Sequence, residues 1–447
     1  MATTPSPPPL FGHPRGLWVL AATELWDRIS FKGMQAMLVL YMAGDLLQPD
    51  RIGRVAGFGA YRRAIEALTG PLSTEALATQ TFGLYIALVT LTPLAGGLIG
   101  DRWTGRRKAV TAGALLMTAG HFALAFDAAF LPALLLLILG VGLFRGNLSA
   151  QVKALYADGD RRQADAFQIY LIAVNLGGFV APLLTGALAK AHGWHAGFAA
   201  AGIGMLVGLA IYLAGSRNLP EDRPRDRTAR IRTPLNPAER RRLAGLFALW
   251  PLLVCFWIAQ SQVWNVYNLW ARDHVAMVVG DFDVPVPWLA SLDSLAPVVF
   301  APLVIALWRA QARRGIEPAP VTKLAIGCLL FAGAVALLML GSLHAGTARM
   351  ALAWPIAFHF ASNLGWLYFV PVETSVFAAA APDRLRGTML GVASLAVSAG
   401  SIISGRMGSL YEAVDPARFW AINAGIVAMA GIVLLLARKP VGRLLGG

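Results

Sequence analysis

Twelve times along its 447 residues the chain carries an apolar run long enough to cross the hydrocarbon of a bilayer. About 20 helical residues span the roughly 30 Å involved. The runs lie near 17–43, 79–100, 107–127, 131–155, 165–190, 194–215, 243–271, 287–309, 321–343, 349–378, 385–411 and 417–437. In lipid, each backbone amide and carbonyl must be satisfied inside its own segment, so these runs predict helices and an all-α membrane protein. Only 14% of residues are charged, against about 25% in an ordinary globular domain, which fits that class. The longest connector on its side, 216–242, divides the runs six and six. The expected organisation is an N-terminal six-helix half at 1–215, a linker at 216–242 and a C-terminal half at 243–447. The linker ends in Pro234-Leu-Asn-Pro-Ala-Glu-Arg-Arg-Arg242, where Asn236 before Pro237 predicts a helix start. The opposite connector, about 44–78, predicts a short surface helix over Tyr61 to Leu68.

The formal charge of +14 does not point to nucleic acid, because its distribution is that of a membrane protein. With the N-terminus inside, the linker carries Arg217, Arg223, Arg225, Arg227, Arg230, Arg232 and Arg240 to Arg242. Arg161, Arg162, Arg313, Arg314, Arg384, Arg386, Arg438 and Lys439 fall on the same side. The opposite loops hold few cations beyond Arg51, Arg54, Arg62 and Arg63. That asymmetry predicts a multi-pass protein of the inner membrane with both termini cytoplasmic. Its basic runs meet anionic lipid. Pro5, Pro7, Pro8 and Pro9 mark a disordered lead-in over the first dozen residues, without the features of a signal peptide.

The first run departs from the others in carrying Glu24, Asp27, Arg28 and Lys32 in its middle. On a helix, Glu24, Asp27, Arg28, Phe31 and Gln35 share one face and Lys32 flanks it. A charge at bilayer depth costs about 2.5 to 3.5 kcal/mol on insertion scales, so such residues face partners or a watery cavity. The plain alternative is that acids and bases neutralise one another inside a bundle, although mid-membrane Lys and Arg are a poor way to hold helices together. The face reads as the working surface of a transporter. There is no room for a soluble catalytic domain and no phosphate-cradling loop, so an ion gradient is the expected energy source and no enzyme activity or cofactor is expected. Cys255 and Cys328 lie in separate runs and make neither a disulfide nor a metal framework. His121 and His359 are intramembrane and can titrate, though such histidines are more often hydrogen-bonded structural residues.

Gly97-Leu-Ile-Gly-Asp-Arg-Trp-Thr-Gly-Arg-Arg-Lys108 joins runs two and three. Asp101 can meet a neighbouring helix N-terminus while Arg102, Arg106 and Arg107 hold the cytoplasmic surface. This resembles the loop motif of the major facilitator superfamily and implies a gate. Glu24-Leu-Trp-Asp-Arg28 is similar to the Glu-x-x-Glu-Arg motif of the proton-dependent oligopeptide transporter family. Phe144-Arg-Gly-Asn147 resembles its Phe-Lys-Pro-Asn motif, and Phe167 to Pro182 its fifth-span signature. Phe256-Trp257, Pro287-Trp288 and Val321-Thr-Lys323 extend the likeness through the second half. The resemblance implies the major facilitator fold, with twelve helices in two halves, and proton-coupled uptake of peptides. It implies proton coupling by Glu24 and Asp27, engagement of a substrate carboxylate by Arg28 and Arg145, and a backbone hydrogen bond from Asn175.

The departures from that pattern matter as much. Phe31 and Lys32 replace a Tyr-Tyr pair, removing a hydroxyl and adding a cation to the substrate side. Gln35 and Ser261 replace an Arg and a Glu that pair across the outer gate, so both ends of one ion pair become neutral together. Trp366 replaces the Glu that receives a peptide amino terminus, Ala393 replaces a pocket Trp, and Asp293 replaces an Asn. The carboxylate-binding end is kept and made more cationic; the amine-binding end is rebuilt, with Asp293 its one evident acid. Glu373, two turns past Trp366, can receive a cation or join a proton path, or can simply pair with Arg384 or Arg386. The expectation is a monomeric symporter of small peptides or peptide-like zwitterionic or anionic solutes. The alternatives are an exporter of a peptide-like metabolite and a transport-inactive ligand receptor of the same fold.

Overall fold

A computed structural model describes residues 9–157, 159–222 and 234–446. Its helices are α1 (Arg15–Tyr41), α2 (Phe58–Thr69), α3 (Thr74–Ile99), α4 (Arg106–Ala123), α5 (Phe130–Ala154), α6 (Arg162–His192) and α7 (Trp194–Ala214). After the linker come α8 (Pro237–Gln262), α9 (Val266–His274), α10 (Leu292–Arg313), α11 (Pro320–Ala345), α12 (Ala353–Ala380), α13 (Arg386–Arg406), α14 (Gly408–Ala413) and α15 (Pro416–Leu445). Twelve of these are of membrane length, as the apolar runs predict. Among the described residues, nine stretches are also apolar enough to cross a membrane on composition alone. The three membrane-length helices outside that group are α1, α4 and α12, and α1 owes its polarity to the acids and bases in its middle.

The predicted surface helix is α2. Its Glu66 accepts from the Leu72 amide and from Arg62, at 3.0 and 2.9 Å, and these bonds hold its carboxyl below the usual range. The helix start predicted at Asn236 is α8. The Asn236 side chain accepts from the Glu239 amide at 2.8 Å and Glu239 returns a bond to the Asn236 amide at 2.9 Å, a reciprocal cap. Two predicted spans are broken rather than continuous. The seventh divides into α8 and α9 around Asn265, and the eleventh into α13 and α14. Of the proline-rich lead-in, residues 1–8 fall outside the described residues. Disorder does not extend to Leu10–His13, where a turn forms because Arg162 donates to the Gly12 carbonyl at 3.0 Å and His13 bonds the Tyr156 hydroxyl at 2.8 Å. Arg223, Arg225, Arg227, Arg230 and Arg232 of the linker also lie outside the described residues.

The residues group into two compact units. The first holds residues 1–37, 52–58 and 91–228; the second holds 38–51, 59–90 and 229–447. In the first unit, helices meet through glycine. A Cβ on Gly96 of α3 would lie 2.0 Å from the Gly142 carbonyl oxygen of α5, and one on Gly146 would lie 2.4 Å from that of Pro93. Asn147 ties the same two helices, donating to the Gly96 carbonyl at 2.9 Å. Small residues at such crossings let backbones approach, which is the main source of helix association in lipid.

The second unit takes the Thr74 end of α3 against α13 and α9. Thr79 donates to the Gly405 carbonyl at 3.1 Å, Asn265 donates to the Thr79 carbonyl at 3.0 Å, and Ser398 donates to the Ala87 carbonyl at 3.0 Å. Gly83 and Gly405 face each other so closely that a Cβ on Gly83 would lie 2.9 Å from the Gly405 Cα. Arg272 with Glu75, at 2.6 Å, and Ser73 with Glu412 close this end. Each interhelical hydrogen bond in lipid is worth about 0.6 kcal/mol on average, so close packing dominates this junction and the bonds set its register.

Gly96→Val should therefore disrupt folding, since no shift of a flexible side chain can relieve a clash with backbone. Gly425→Val, on α15 where a Cβ meets nothing within 4 Å, should be tolerated. Size-exclusion profiles of the two variants in detergent check this: equal monodisperse peaks would refute the packing role of Gly96.

Candidate functional site

The charged face of α1 is buried within the first unit. Glu24, Asp27, Phe31 and Gln35 are all buried, whereas Arg28 and Lys32 are half-buried on the flank. Thr23 and Ser30 turn their hydroxyls back to carbonyls of their own helix, at 2.7 and 3.0 Å, so these neighbours do not compete for the charged groups. The face is a pair of ion pairs. Arg28 Nη2 lies 2.6 Å from Glu24 Oε1, one turn away on the same helix. Arg145 of α5 donates from Nε and Nη2 to a single oxygen, Asp27 Oδ2, at 3.1 and 3.0 Å. The Arg145 guanidinium also stands 4.0 Å from the centre of the Phe31 ring. Lys32 adds a third cation, so cations outnumber acids on this face.

Two residues complete the cluster that the sequence motifs left without a role. Tyr170 of α6 donates to Glu24 Oε2 at 2.6 Å. Glu24 therefore has both oxygens engaged, while Asp27 Oδ1 is buried with no hydrogen-bond partner among the described residues. Phe31 is the second, since the ring that replaces a tyrosine serves as a platform for Arg145. The signal for Tyr170 was its spacing. It lies seven residues, two helical turns, before Gly177, on whose bare face α1 rests: a Cβ at Gly177 would lie 2.5 Å from the Leu25 carbonyl oxygen. Asn175, from the same helix, is half-buried and donates to its own helix at the Leu171 carbonyl, 2.9 Å away.

The motif between α3 and α4 is joined by a residue of the linker. Asp222 accepts from the Arg106 and Arg107 amides at the start of α4, at 2.8 and 3.2 Å. Asp101 pairs with the Arg106 side chain at 2.9 Å. Gly105 adopts φ +79°, and a Cβ there would meet Asp222, so the glycine makes room for the cap. Arg107 grips the Leu219 and Pro220 carbonyls, while Arg102 is exposed and Gly97 packs near the Gly146 carbonyl. Sequence spacing could not show that the start of the linker returns to cap α4.

In the second unit, Asp293 of α10 accepts from Asn363 at 3.3 Å and lies 2.7 Å from His359 Nδ1. Ser261 pairs with the Ser401 hydroxyl at 3.0 Å. Trp366 is half-buried and packs on a small apolar cluster of Val304, Leu367 and Tyr368. The reading in which Glu373 pairs with Arg384 or Arg386 is corrected: Arg384 pairs with Glu239 at 2.7 Å and Arg386 with Asp383 at 2.5 Å. Glu373 is buried and accepts from the Trp257 indole at 3.2 Å. Among the described residues, His121 is buried with neither ring nitrogen hydrogen-bonded, so it is not the bonded structural histidine expected. Gln35 Oε1 is likewise buried without a partner among them, whereas His359 is bonded at both nitrogens. Among the described residues, no group of three His, Cys, Asp or Glu is arranged to hold a metal.

The POT family model matches residues 107–231 and 226–424. The chain is 29% identical to the peptide transporter YePEPT of Yersinia enterocolitica, an alignment covering 99% of this chain and 97% of that one. It is 27% identical to a di-/tripeptide transporter of Lactococcus lactis, over 98% and 97% of the two chains. Among solved structures it superposes, with TM-score 0.88 and 25% identity, on a mutant of the peptide transporter POT in complex with alafosfalin, covering 99% of this chain and 98% of that one. A POT family transporter in complex with 5-aminolevulinic acid gives TM-score 0.85 at 23% identity, over 97% and 98% of the chains, a likeness of fold.

Tyr170→Phe isolates one bond in this cluster. It leaves Glu24 Oε2 buried without its donor, a loss of about 1 to 3 kcal/mol for a buried acceptor. The expected outcome is a lower melting temperature in detergent, and Glu24→Gln combined with Tyr170→Phe should cost less than the sum of the two. Strict additivity would show that the hydroxyl and the carboxylate do not interact.

Proposed function

The chain belongs to the POT family, and we propose that it is a proton-coupled symporter of a small peptide-like solute with an anionic end. The observation that carries this reading is the fork of Arg145 on one oxygen of Asp27, with the other oxygen buried and without a hydrogen-bond partner among the described residues. A half-buried guanidinium held by a carboxylate is a latent anion site. Protonating the acid removes the charge that holds Arg145 and frees its fork for a substrate carboxylate. Glu24 and Arg28 form the same arrangement one turn away, steadied by Tyr170. Binding an anion to either cation in turn favours protonation of its acid, and that mutual dependence is coupling. The names of the relatives, peptide and di-/tripeptide transporters, support a peptide-like substrate class.

The far end of the substrate differs from a free amino terminus. Trp366 offers an ammonium at most a cation–π contact of about 0.5 to 2 kcal/mol, weaker than a hydrogen-bonded carboxylate. A modified peptide, or another small acid with a bulkier and less cationic far end, suits this site better than an ordinary dipeptide. The halves 1–215 and 243–447 are the bodies that move. The Thr74 end of α3, packed on α13 through small residues, is the outer gate; Gln35 and Ser261 stand at its former ion-pair positions, and Ser261 bonds Ser401 within the C-terminal half. The basic linker and loops support an inner-membrane location with both termini cytoplasmic. The protein works as a monomer, with lipid, protons and substrate as its partners and no cofactor.

Two measurements test this reading. In proteoliposomes, Glu24→Gln should abolish accumulation driven by an inward proton gradient yet keep substrate exchange. Arg28→Ala should lose binding, since it removes an anion partner and leaves two acids facing each other. Wild-type accumulation by Glu24→Gln would move the coupling site away from α1. In a thermal-shift panel, Ala-Ala should stabilise the protein weakly and anionic, N-modified peptides more strongly. Micromolar stabilisation by Ala-Ala would contradict the rebuilt amine end.

A further inference from the structure

The second unit holds a buried titratable cluster of its own. Asp293 lies at the start of α10, His359 in the second turn of α12 and Tyr267 in α9. The His359 side chain is 1% exposed and is held at both nitrogens. Nδ1 lies 2.7 Å from Asp293 Oδ1, and Nε2 lies 2.9 Å from the Tyr267 hydroxyl. Phe358 and Tyr267 meet the imidazole edge to face, and Trp270 and Trp420 pack on the tyrosine. Asp293 keeps 22% of its side chain exposed, which makes it the wet end of the cluster.

We propose that Asp293, His359 and Tyr267 form a second proton-binding site, separate from the acids of α1, with the proton taken up at Nε2 of His359. Its part in driving transport rests on the symport reading above. The geometry suits a group that must exist in two protonation states inside a membrane. The carboxylate fixes Nδ1 as a donor in both. A hydroxyl both donates and accepts, so Tyr267 can give its proton to a hydrogen bond with neutral Nε2 or accept one from Nε2–H by turning its own proton away. Neither state leaves a ring nitrogen unpaired, whereas a backbone N–H or a carbonyl in place of the hydroxyl would hold one state only. In the step itself an N–H bond forms at Nε2 and an O–H bond of a hydronium breaks, with no electron transfer. The cluster passes from a net anion to a neutral carboxylate–imidazolium pair.

The titratable groups that meet the ring are Asp293 from α10 and Tyr267 from α9. Its own helix contributes Asn363 and Phe358, and α15 contributes Trp420 beyond the tyrosine. His121 of the first unit provides the contrast. It is as deeply buried, yet among the described residues neither nitrogen is hydrogen-bonded, so protonation there would have no hydrogen-bonded acid to offset the new charge.

The test is 15N-histidine NMR on the full-length protein in detergent, with His359 identified by its loss in His359→Gln. Between about pH 8 and pH 5, the range in which histidine changes charge, Nε2 should pass from bare to protonated while Nδ1 keeps its proton. In Asp293→Asn, with the anion gone, the ring should stay neutral across the same range. A wild-type ring that keeps one state throughout, or one that titrates identically in Asp293→Asn, overturns the proposal. If Asp293→Asn does not fold, the wild-type spectrum decides alone. No substrate is needed, so the two readings fail separately. A titrating ring without gradient-driven uptake removes symport and leaves the proton site, and gradient-driven uptake with a static ring removes the proton site alone.

Discussion

Ion pairing at membrane depth is the constraint on which the first unit depends. Glu24, Asp27 and Arg28 on α1 and Arg145 against it would each cost about 2.5 to 3.5 kcal/mol unpaired in lipid. The structure answers with two guanidinium–carboxylate pairs, Arg28 with Glu24 and Arg145 with Asp27. The Arg145–Asp27 pair requires α5 to reach α1, the Tyr170 bond to Glu24 requires α6 to do so, and glycine makes the close approach of α6 possible. Gly177 lets α6 lie on α1 and brings Tyr170 to Glu24. Gly142 and Gly146 seat α5 on α3, on the same helix that carries Arg145. Packing and electrostatics therefore cooperate: a bulkier residue at these crossings would separate the charges as well as the backbones.

Completeness of pairing separates the members of this cluster. Glu24 is satisfied at both oxygens, while Asp27 shares one oxygen with Arg145 and leaves the other bare among the described residues. An arrangement built for stability alone would satisfy both, because a buried unpaired oxygen is costly. The incomplete pair is what supports a role in proton and anion exchange. The second unit handles polarity in the opposite way. Ser261 and Ser401 share a neutral hydrogen bond between hydroxyls. The acids inside α10 and α12 stand away from guanidinium groups, Asp293 beside a histidine and Glu373 beside an indole.

The sequence by itself determined the twelve membrane-length helices, the surface helix α2, the capped start of α8 and the charged face of α1. These follow from local physics, namely apolar length, 3.6-residue periodicity and capping chemistry, each acting within a few turns. It also determined the family, because the motifs that carry the likeness are contiguous. Only the tertiary structure decided who pairs with whom. Arg145 meets Asp27 across 118 residues, Tyr170 meets Glu24 across 146, and Asp222 caps α4 from 116 residues away. Glu373 turned to Trp257 because Arg384 and Arg386 had nearer acids in Glu239 and Asp383. Partner choice among charges is a matter of distance and competition in three dimensions, and neither is written in the spacing of residues along a chain.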